Sequence, residues 1–376
     1  MKLGANIKQP QGYTAFIPEP FPPKEGFVFS NKLIQKASQA TLALGKLDGI
    51  TQLLPDVDFF LFMYVCKDAA SSSQIEGTKA TMVDAIEAAA KTSENLPQDV
   101  DDITHYIQAL NYGLERLKNF PLCLRLIKEI HAKLMESARA THFSDPGNFR
   151  KSQNWIGGTT PQNAQFVPPP PHEMNQAMGE LENFFHHENE ILPVIKAGII
   201  HAQFETIHPF LDGNGRTGRM LITLVLWLQK LLEQPVLFLS SYFKKHQKIY
   251  YLRLNDYHNS KVDPWLDFFL DGVIETSAEA IETVRKITLL REEDMKKIHT
   301  LGKTASKSAV EILLQLFKTP IINATHIQEW TGFTRKGSLT VINRLIDLDI
   351  LQQKDKNKTY GRSFIYKRYV DIFNEH

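Results

Sequence analysis

The chain has 376 residues, 43 Lys plus Arg against 42 Asp plus Glu, 43% hydrophobic residues and two cysteines. At ~100–200 residues per domain this length predicts two or three domains. The formal charge of +1 excludes both an acidic solvating chain and a uniformly basic coat for nucleic acid, so any phosphate chemistry must be local. Cys66 and Cys123 match no metal or redox spacing and read as free thiols of a reducing compartment. The start, MKLGANIKQPQGYTAF, lacks a signal-peptide core. The longest apolar runs, 59–66 and 220–228, fall short of the ~18–20 residues of a membrane span. A cytoplasmic protein without membrane contact is expected.

In chain order, Pro10, Pro18, Pro20, Pro22 and Pro23 without a helical period predict an extended arm over residues 1 to 30. Helical spacing covers 31–53 and 56–70. The stretch 71–91 opens Ser-rich and continues as an amphipathic helix through Ala80, Met82, Val83, Ile86 and Ala89. Further helices are expected at 100–118 and 122–138. Between 143 and 171 the pattern breaks, and extended pieces at 152–156 and 165–167 around a Gly/Thr/Pro turn predict a β-hairpin on a helical body. Helices resume at 172–188, 193–207, 216–231, 246–257 and 262–297. Residues 301–376 carry twelve Lys/Arg and seven Asp/Glu, a net of +5 that leaves −4 for the rest. There, helices at 309–317, 323–331 and 336–348 precede a hairpin over 350–369 turning at 356–358, the order of a winged helix-turn-helix. The predicted fold class is mainly α, with domains at 1–110, 111–300 and 301–376.

The informative stretch is Ile207 to Arg219, IHPFLDGNGRTGR, between two apolar helices. Pro209, Gly213 and Gly215 break the first helix, and a second begins at once. A Gly-containing loop at a helix N-terminus presents backbone N–H groups and the positive dipole end to an anion. Arg216 and Arg219, three residues apart, share a side of the first turn. Cations there oppose the helix dipole, which points to a bound polyphosphate. Asp212 suits a divalent metal bridging to phosphate oxygens, and His208 suits proton transfer near neutral pH. Other readings weighed are a calcium loop on Asp212 and Asn214, zinc on His201, Glu205 and His208, and a plain Gly-rich turn. Arg216 and Thr223 occupy positions where a calcium loop needs ligands, and HExxH and GxxxxGK[ST] are absent.

His208-Pro209-Phe210-Leu211-Asp212-Gly213-Asn214-Gly215-Arg216-Thr217-Gly218-Arg219 matches HxFx[DE]GNGRxxR in full. On this motif the chain resembles the Fic (filamentation induced by cAMP) family of protein adenylyltransferases, from the arm through the 262–297 helix. The resemblance implies a nucleotidyltransferase in which His208 deprotonates a Ser, Thr or Tyr hydroxyl of a target protein that attacks the α-phosphorus of ATP. Asp212 would hold Mg²⁺. The amides of Gly213, Asn214 and Gly215, with the Asn214 side chain, would steady the α-phosphate, Arg216 and Arg219 would grip the β and γ groups, and Thr217 and Gly218 complete the ATP loop. It further implies a target-aligning flap at Asn154, Trp155, Ile156 and Gly157, and the Tyr250-Tyr251 pair near adenine. Two aromatic core positions explain that pair equally simply. An asparagine that some members carry farther on falls at His258 or Asn259.

Ser72-Ser73-Gln74-Ile75-Glu76-Gly77 matches the family's inhibitory pattern [ST]xxxE[GN]. It implies that Glu76, on a short helix, occupies the Arg219 guanidinium meant for the γ-phosphate. Automodification and a homodimer are further expectations of the resemblance. Two alternatives stand beside AMP transfer. One is a Fic-fold phosphotransferase. The other is a nucleotide-sensing DNA-binding regulator using Arg335, Lys336, Arg344, Lys354, Lys356, Lys358 and Arg362, although winged helices also serve protein docking.

Overall fold

The structure is a computed structural model that describes residues 2–52, 54, 57–93, 95–136, 145–186 and 191–374. The predicted helix ends at 53, 56, 137–138 and 187–188, the first residues of the predicted 143–171 break, and positions 375–376 lie outside the described residues. The elements run β1 (Gly4–Lys8), β2 (Thr14–Pro18), α1 (Asn31–Thr51), α2 (Asp58–Ile75), α3 (Met82–Ala90), α4 (Val100–Leu117), α5 (Leu124–Leu134) and α6 (Pro171–His186). Then follow α7 (Pro193–Ile207), α8 (Asn214–Leu228), α9 (Ser240–Lys245), α10 (Gln247–His258) and α11 (Val262–His299). The C-terminal part adds α12 (Lys303–Lys318), β3 (Ile321–Asn323), α13 (Ala324–Thr331), α14 (Arg335–Asp347), β4 (Gln352–Gln353), β5 (Ser363–Ile365) and α15 (Lys367–Asn374). The chain is therefore mainly α, as its periodicity predicts. Among the described residues no helix is long and apolar enough to cross a membrane.

Two compact units divide the chain. The first comprises Met1–Asp48, Ser71–Thr78 and His105–Ser277. Its centre is α7, buried from Val194 to Ile207. A helix apolar around its whole circumference belongs inside a core. Pro193 opens α7 at a position where its missing N–H costs nothing. The Trp265 indole donates to the Gly198 carbonyl at 2.9 Å, and a Cβ at Gly198 would lie 2.9 Å from the Phe269 ring. That glycine lets α11 approach closely. The proline-rich arm is not merely extended: β1 and β2 pair antiparallel from Gly4 opposite Pro18 to Lys8 opposite Thr14, turning at Gly12 with φ +88°. Phe16 then donates its N–H to Val167 at 2.9 Å. The hairpin predicted at 152–167 reduces to one antiparallel bridge, Ile156 opposite Phe166, because Gly157 and Gly158 and the long turn end the ladder.

The second unit comprises Gly49–Ala70, Lys79–Thr104 and Ala278–His376. A three-stranded sheet in the order β3-β5-β4 packs through β3 on α13 and α3, and α13 packs in turn on α12 and α14. β4 and β5 are the predicted hairpin, shorter than expected; its end instead forms α15, which buries Tyr369, Val370 and Phe373. Asp294, fully buried, accepts from the Tyr366 hydroxyl at 2.6 Å and from Arg368 at 2.7 Å. Lys354, one of the basic residues of the hairpin, is paired with Glu87.

Candidate functional site

The site is built where α7 stops. His208 caps α7 in the left-handed region, φ 50°, and Pro209 prevents continuation. Gly213, φ 76°, supplies the turn from which α8 starts. The loop between is braced from three directions. Asn214 accepts from the Phe210 N–H and donates back to the Phe210 carbonyl, each at 2.8 Å. The Asn154 amide donates to the carbonyls of His208 and Phe210 at 3.2 and 2.9 Å. Arg150, buried, spreads its guanidinium over the carbonyls of His208, Ser152, Pro169 and Ile207. Burial without a carboxylate partner brings that guanidinium down to about 10.

His131, on α5, fastens the far side. Its Nδ1 accepts the Gly147 N–H at 2.9 Å, so the proton sits on Nε2 and is donated to the Asp212 carbonyl at 2.9 Å. The ring stacks on Phe210 with centroids 3.6 Å apart, and burial pushes it down to about 4, so it stays neutral. His201 works similarly beneath α8. It donates from Nδ1 to the Gly218 carbonyl at 2.8 Å and accepts the Tyr250 hydroxyl at Nε2, also at 2.8 Å. Both ring nitrogens being occupied, His201 is not poised to bind zinc with Glu205 and His208. Among the described residues no cluster of three or more His, Cys, Asp or Glu could hold a metal ion.

A cavity of about 870 Å³ opens in front of this frame, bordered by His208, Gly215, Arg219, Glu76, Tyr250 and Tyr251 among others. That volume suits a small-molecule ligand. His208 is largely buried and is pulled down to about 4 by burial and by Arg150, which leaves a neutral imidazole able to accept a proton. The first amides of α8, at Asn214 and Gly215, have no helical carbonyl to bond, the usual condition for anion binding. Trp155, Ile156 and Gly157 form the opposite wall, whereas Asn154 is spent on the loop. Tyr250 is buried and Tyr251 about half exposed. His258 and Asn255 also line the cavity, and His258 stacks on Phe166 at 3.8 Å. Asn259 instead donates to the Asn255 carbonyl.

The remaining loop residues stand off this lining. Asp212 is half exposed, accepts the Gly213 N–H at 2.6 Å and lies 3.9 Å from Arg216. Arg216 points at the Met135 sulfur, 3.5 Å away. Thr217 bonds back to the Gly213 carbonyl at 2.8 Å. At Gly218 a Cβ would lie 2.3 Å from Glu205 Oε1.

Arg219 is buried and receives three bonds' worth of acceptors from one segment. Its Nε donates to Ser72 Oγ at 2.9 Å, and its Nη2 to the Ser72 carbonyl at 3.0 Å and Glu76 Oε1 at 2.7 Å. Burial alone would raise the Glu76 carboxyl, but Arg219 outweighs it and holds Glu76 below its ordinary range. Glu76 does not lie on a short helix. α2 continues through the serines to Ile75, and Glu76 follows in the turn closed by Gly77 at φ 99°. The serines stay helical because they are bonded inward, Ser72 to Arg219 and Ser71 to Ser241. His131, Arg150 and Asn255 were not singled out from sequence. Each lies far from the loop in the chain, without a local motif.

Two family models match: Fic/DOC family over residues 121–226, and Fic/DOC family N-terminal over 34–115, together half of the chain. One relative, named "Probable protein adenylyltransferase" from Aquifex aeolicus, is 42% identical over 84 residues, 22% of this chain and 25% of its own length. The protein adenylyltransferase Fic of Aedes aegypti is 31% identical over 159 residues, 41% of this chain and 28% of its own. The chain thus spans only about a quarter of the length of these curated relatives. The crystal structure of a Fic family protein from Desulfovibrio desulfuricans superposes with a TM-score of 0.59 at 16% identity, covering 90% of this chain and 97% of that one. Motif, loop architecture and both family models agree that the chain belongs to the Fic/DOC family.

Proposed function

We propose that this protein transfers AMP from ATP to a Ser, Thr or Tyr hydroxyl of a target protein, itself included, and that Glu76 restrains the reaction. The observation that carries this reading is the convergence of neutral His208, Gly215 and the Glu76-bound Arg219 on one cavity. His208 Nδ1 faces the Glu205 carbonyl at 3.3 Å, which leaves Nε2 to take the hydroxyl proton. The hydroxyl oxygen forms a bond to the α-phosphorus, the α–β bridging bond breaks, and pyrophosphate leaves. Amides at the start of α8 offset charge developing on the α-phosphate, and Arg216 and Arg219 hold the β and γ groups. The donor set fits a substrate-borne Mg²⁺: a single half-exposed carboxylate, Asp212, suits an ion shared with phosphate oxygens rather than a protein cage. Such an ion neutralises polyphosphate charge. The bridge at Ile156 offers an edge for an extended target segment, and Tyr250-Tyr251 an aromatic wall for the base.

Incubating the Glu76→Gly form with labelled ATP and analysing the product mass tests this. An AMP adduct supports it; a bare phosphate supports a phosphotransferase instead, and no transfer by Glu76→Gly sinks it. Use of ATP and two free cysteines support a cytoplasmic location, and a homodimer is the assembly proposed there.

A second reading concerns residues 301–376, proposed as a winged helix. Arg335, Lys336 and Arg344 are exposed on α14, and Lys356 and Lys358 on the hairpin. DNA contact by this face predicts a gel shift by the full chain that weakens steeply with salt. Absence of binding at low salt assigns the module to protein docking.

A further inference from the structure

Glu205 is a buried carboxyl that the proposed chemistry leaves unused. Its Oε2 lies 3.8 Å from His208 Nδ1, and its own backbone carbonyl lies 3.3 Å from the same nitrogen. Among the described residues Oε1 is buried without a hydrogen-bond partner. Oε1 also occupies the space that a side chain at Gly218 would fill, so α8 is shaped to admit it. We propose that Glu205 is a positioning residue for His208, its carboxylate holding the ring with Nε2 toward the reacting hydroxyl and stabilising the imidazolium formed when the proton arrives. This rests on the general-base reading of His208 and follows the logic in which a third group orients the base.

The surrounding charges say when Glu205 can act. Burial raises its carboxyl to about 8, against the pull of Arg219 and with the help of Glu76. In the restrained form it is therefore largely protonated. Once Glu76 leaves, Arg219 and Glu205 face each other without a competing carboxylate, and Glu205 ionises more readily. The charged or titratable groups facing His208 are then Arg150, Asp212 and His258, besides Glu205.

The test compares Glu76→Gly with Glu76→Gly/Glu205→Gln. The double variant is expected to lose at least about tenfold in kcat for AMP transfer, with KM for ATP within about twofold. A carboxylate 3.8 Å from the imidazole favours its charged form, by about one pH unit even with full aqueous screening. Because Glu205 acts only when ionised, the acidic limb of the kcat profile is expected to follow its burial-raised carboxyl, and Glu205→Gln should remove that limb and leave the lower one of His208. Glu205→Asp, which keeps the charge, should restore most of both. An independent readout is the His208 ring titration by NMR, assigned through its loss in His208→Ala, which should show the ionisation of Glu205 as a second step that Glu205→Gln removes. If Glu205→Gln does not fold, the neutral and similarly long Glu205→Met carries the comparison. Unchanged kcat, or a lower kcat with the pH limb and His208 titration unmoved, overturns the proposal. Should Glu76→Gly transfer no AMP, the functional reading fails, and the His208 titration still decides the role of Glu205.

Discussion

Replacing Glu76 by Gly removes one of the acceptors that the 72–76 segment gives Arg219 and leaves the two Ser72 bonds in place. The guanidinium therefore stays where it is but regains an open donor. A charge-assisted hydrogen bond contributes ~1.5–3 kcal/mol. The Glu76 side chain is 40% exposed, so solvent screening places the effect at the lower end. That corresponds to about tenfold to thirtyfold tighter ATP binding or faster transfer, at ~1.4 kcal/mol per tenfold. Calorimetric titration with Mg-ATP gives the affinity, and automodification with labelled ATP gives the rate. Glu76→Gln, which keeps the shape and removes the charge, should fall between wild type and Glu76→Gly. Ser72→Ala should not mimic it, because Arg219 then loses its Nε anchor and drifts. Equal affinity and equal transfer in wild type and Glu76→Gly would falsify the brake.

Other outcomes follow from the same geometry. His208→Ala should abolish transfer while ATP affinity changes less than about threefold; retained transfer contradicts the general base. Arg150→Lys should destabilise the chain by ~3 kcal/mol or more, since an ammonium cannot reach the four carbonyls that the guanidinium fork serves. A urea midpoint equal to wild type refutes this. His131 and His201, fully buried, lie at about 4 and 3 because burial disfavours their charged forms. An unfolded imidazole titrates near 6.5, so the unfolded chain binds more protons between pH 6.5 and 4. Their contribution is complete above pH 6.5 and lost as pH falls, about 2 kcal/mol each by pH 5. Calorimetry at pH 7.5 and 5 should show a falling Tm and proton uptake on unfolding, and a flat Tm counts against it. Asp294→Ala should cost the second unit ~3 kcal/mol by stranding the buried Tyr366 hydroxyl and leaving Arg368 only Glu293, read as an earlier transition in denaturant.

The long helices were legible because period and burial coincide. α7 and α8 are apolar runs interrupted by Pro209 and Gly213, and both fall within a turn or two of where the spacing puts them. The opposition of Glu76 and Arg219 was legible from charge and motif. The setting of Glu76 was not, since three consecutive serines look solvated while Ser72 and Ser73 are fully buried. Ser72 is met in the core by Arg219, 147 residues away, a partner that no local spacing announces. The same distance in sequence hides His131 and Arg150, whose roles are made by tertiary contacts to backbone carbonyls. Such bonds ask nothing of the acceptor's side chain and leave no pattern. The arm read as extended but not as paired, because proline is counted against strands, yet Pro10 lies outside both strands and Pro18 ends one.

The three glycines of GNGRTG answer three separate steric demands. Gly213 adopts a positive φ, and a Cβ there would meet Met135 at 2.9 Å. At Gly215 a Cβ would stand 2.4 Å from Glu76 Oε1 and 2.9 Å from Arg219, so its absence is what lets the Glu76 carboxylate reach the guanidinium. At Gly218 the missing Cβ admits Glu205. A loop that needed only a tight turn and exposed amides would require the first of these. The second and third glycines instead fit α8 between two acidic side chains, Glu76 and Glu205. The proposed restraint and the proposed support of His208 thus both depend on the same six residues that are proposed to cradle phosphate.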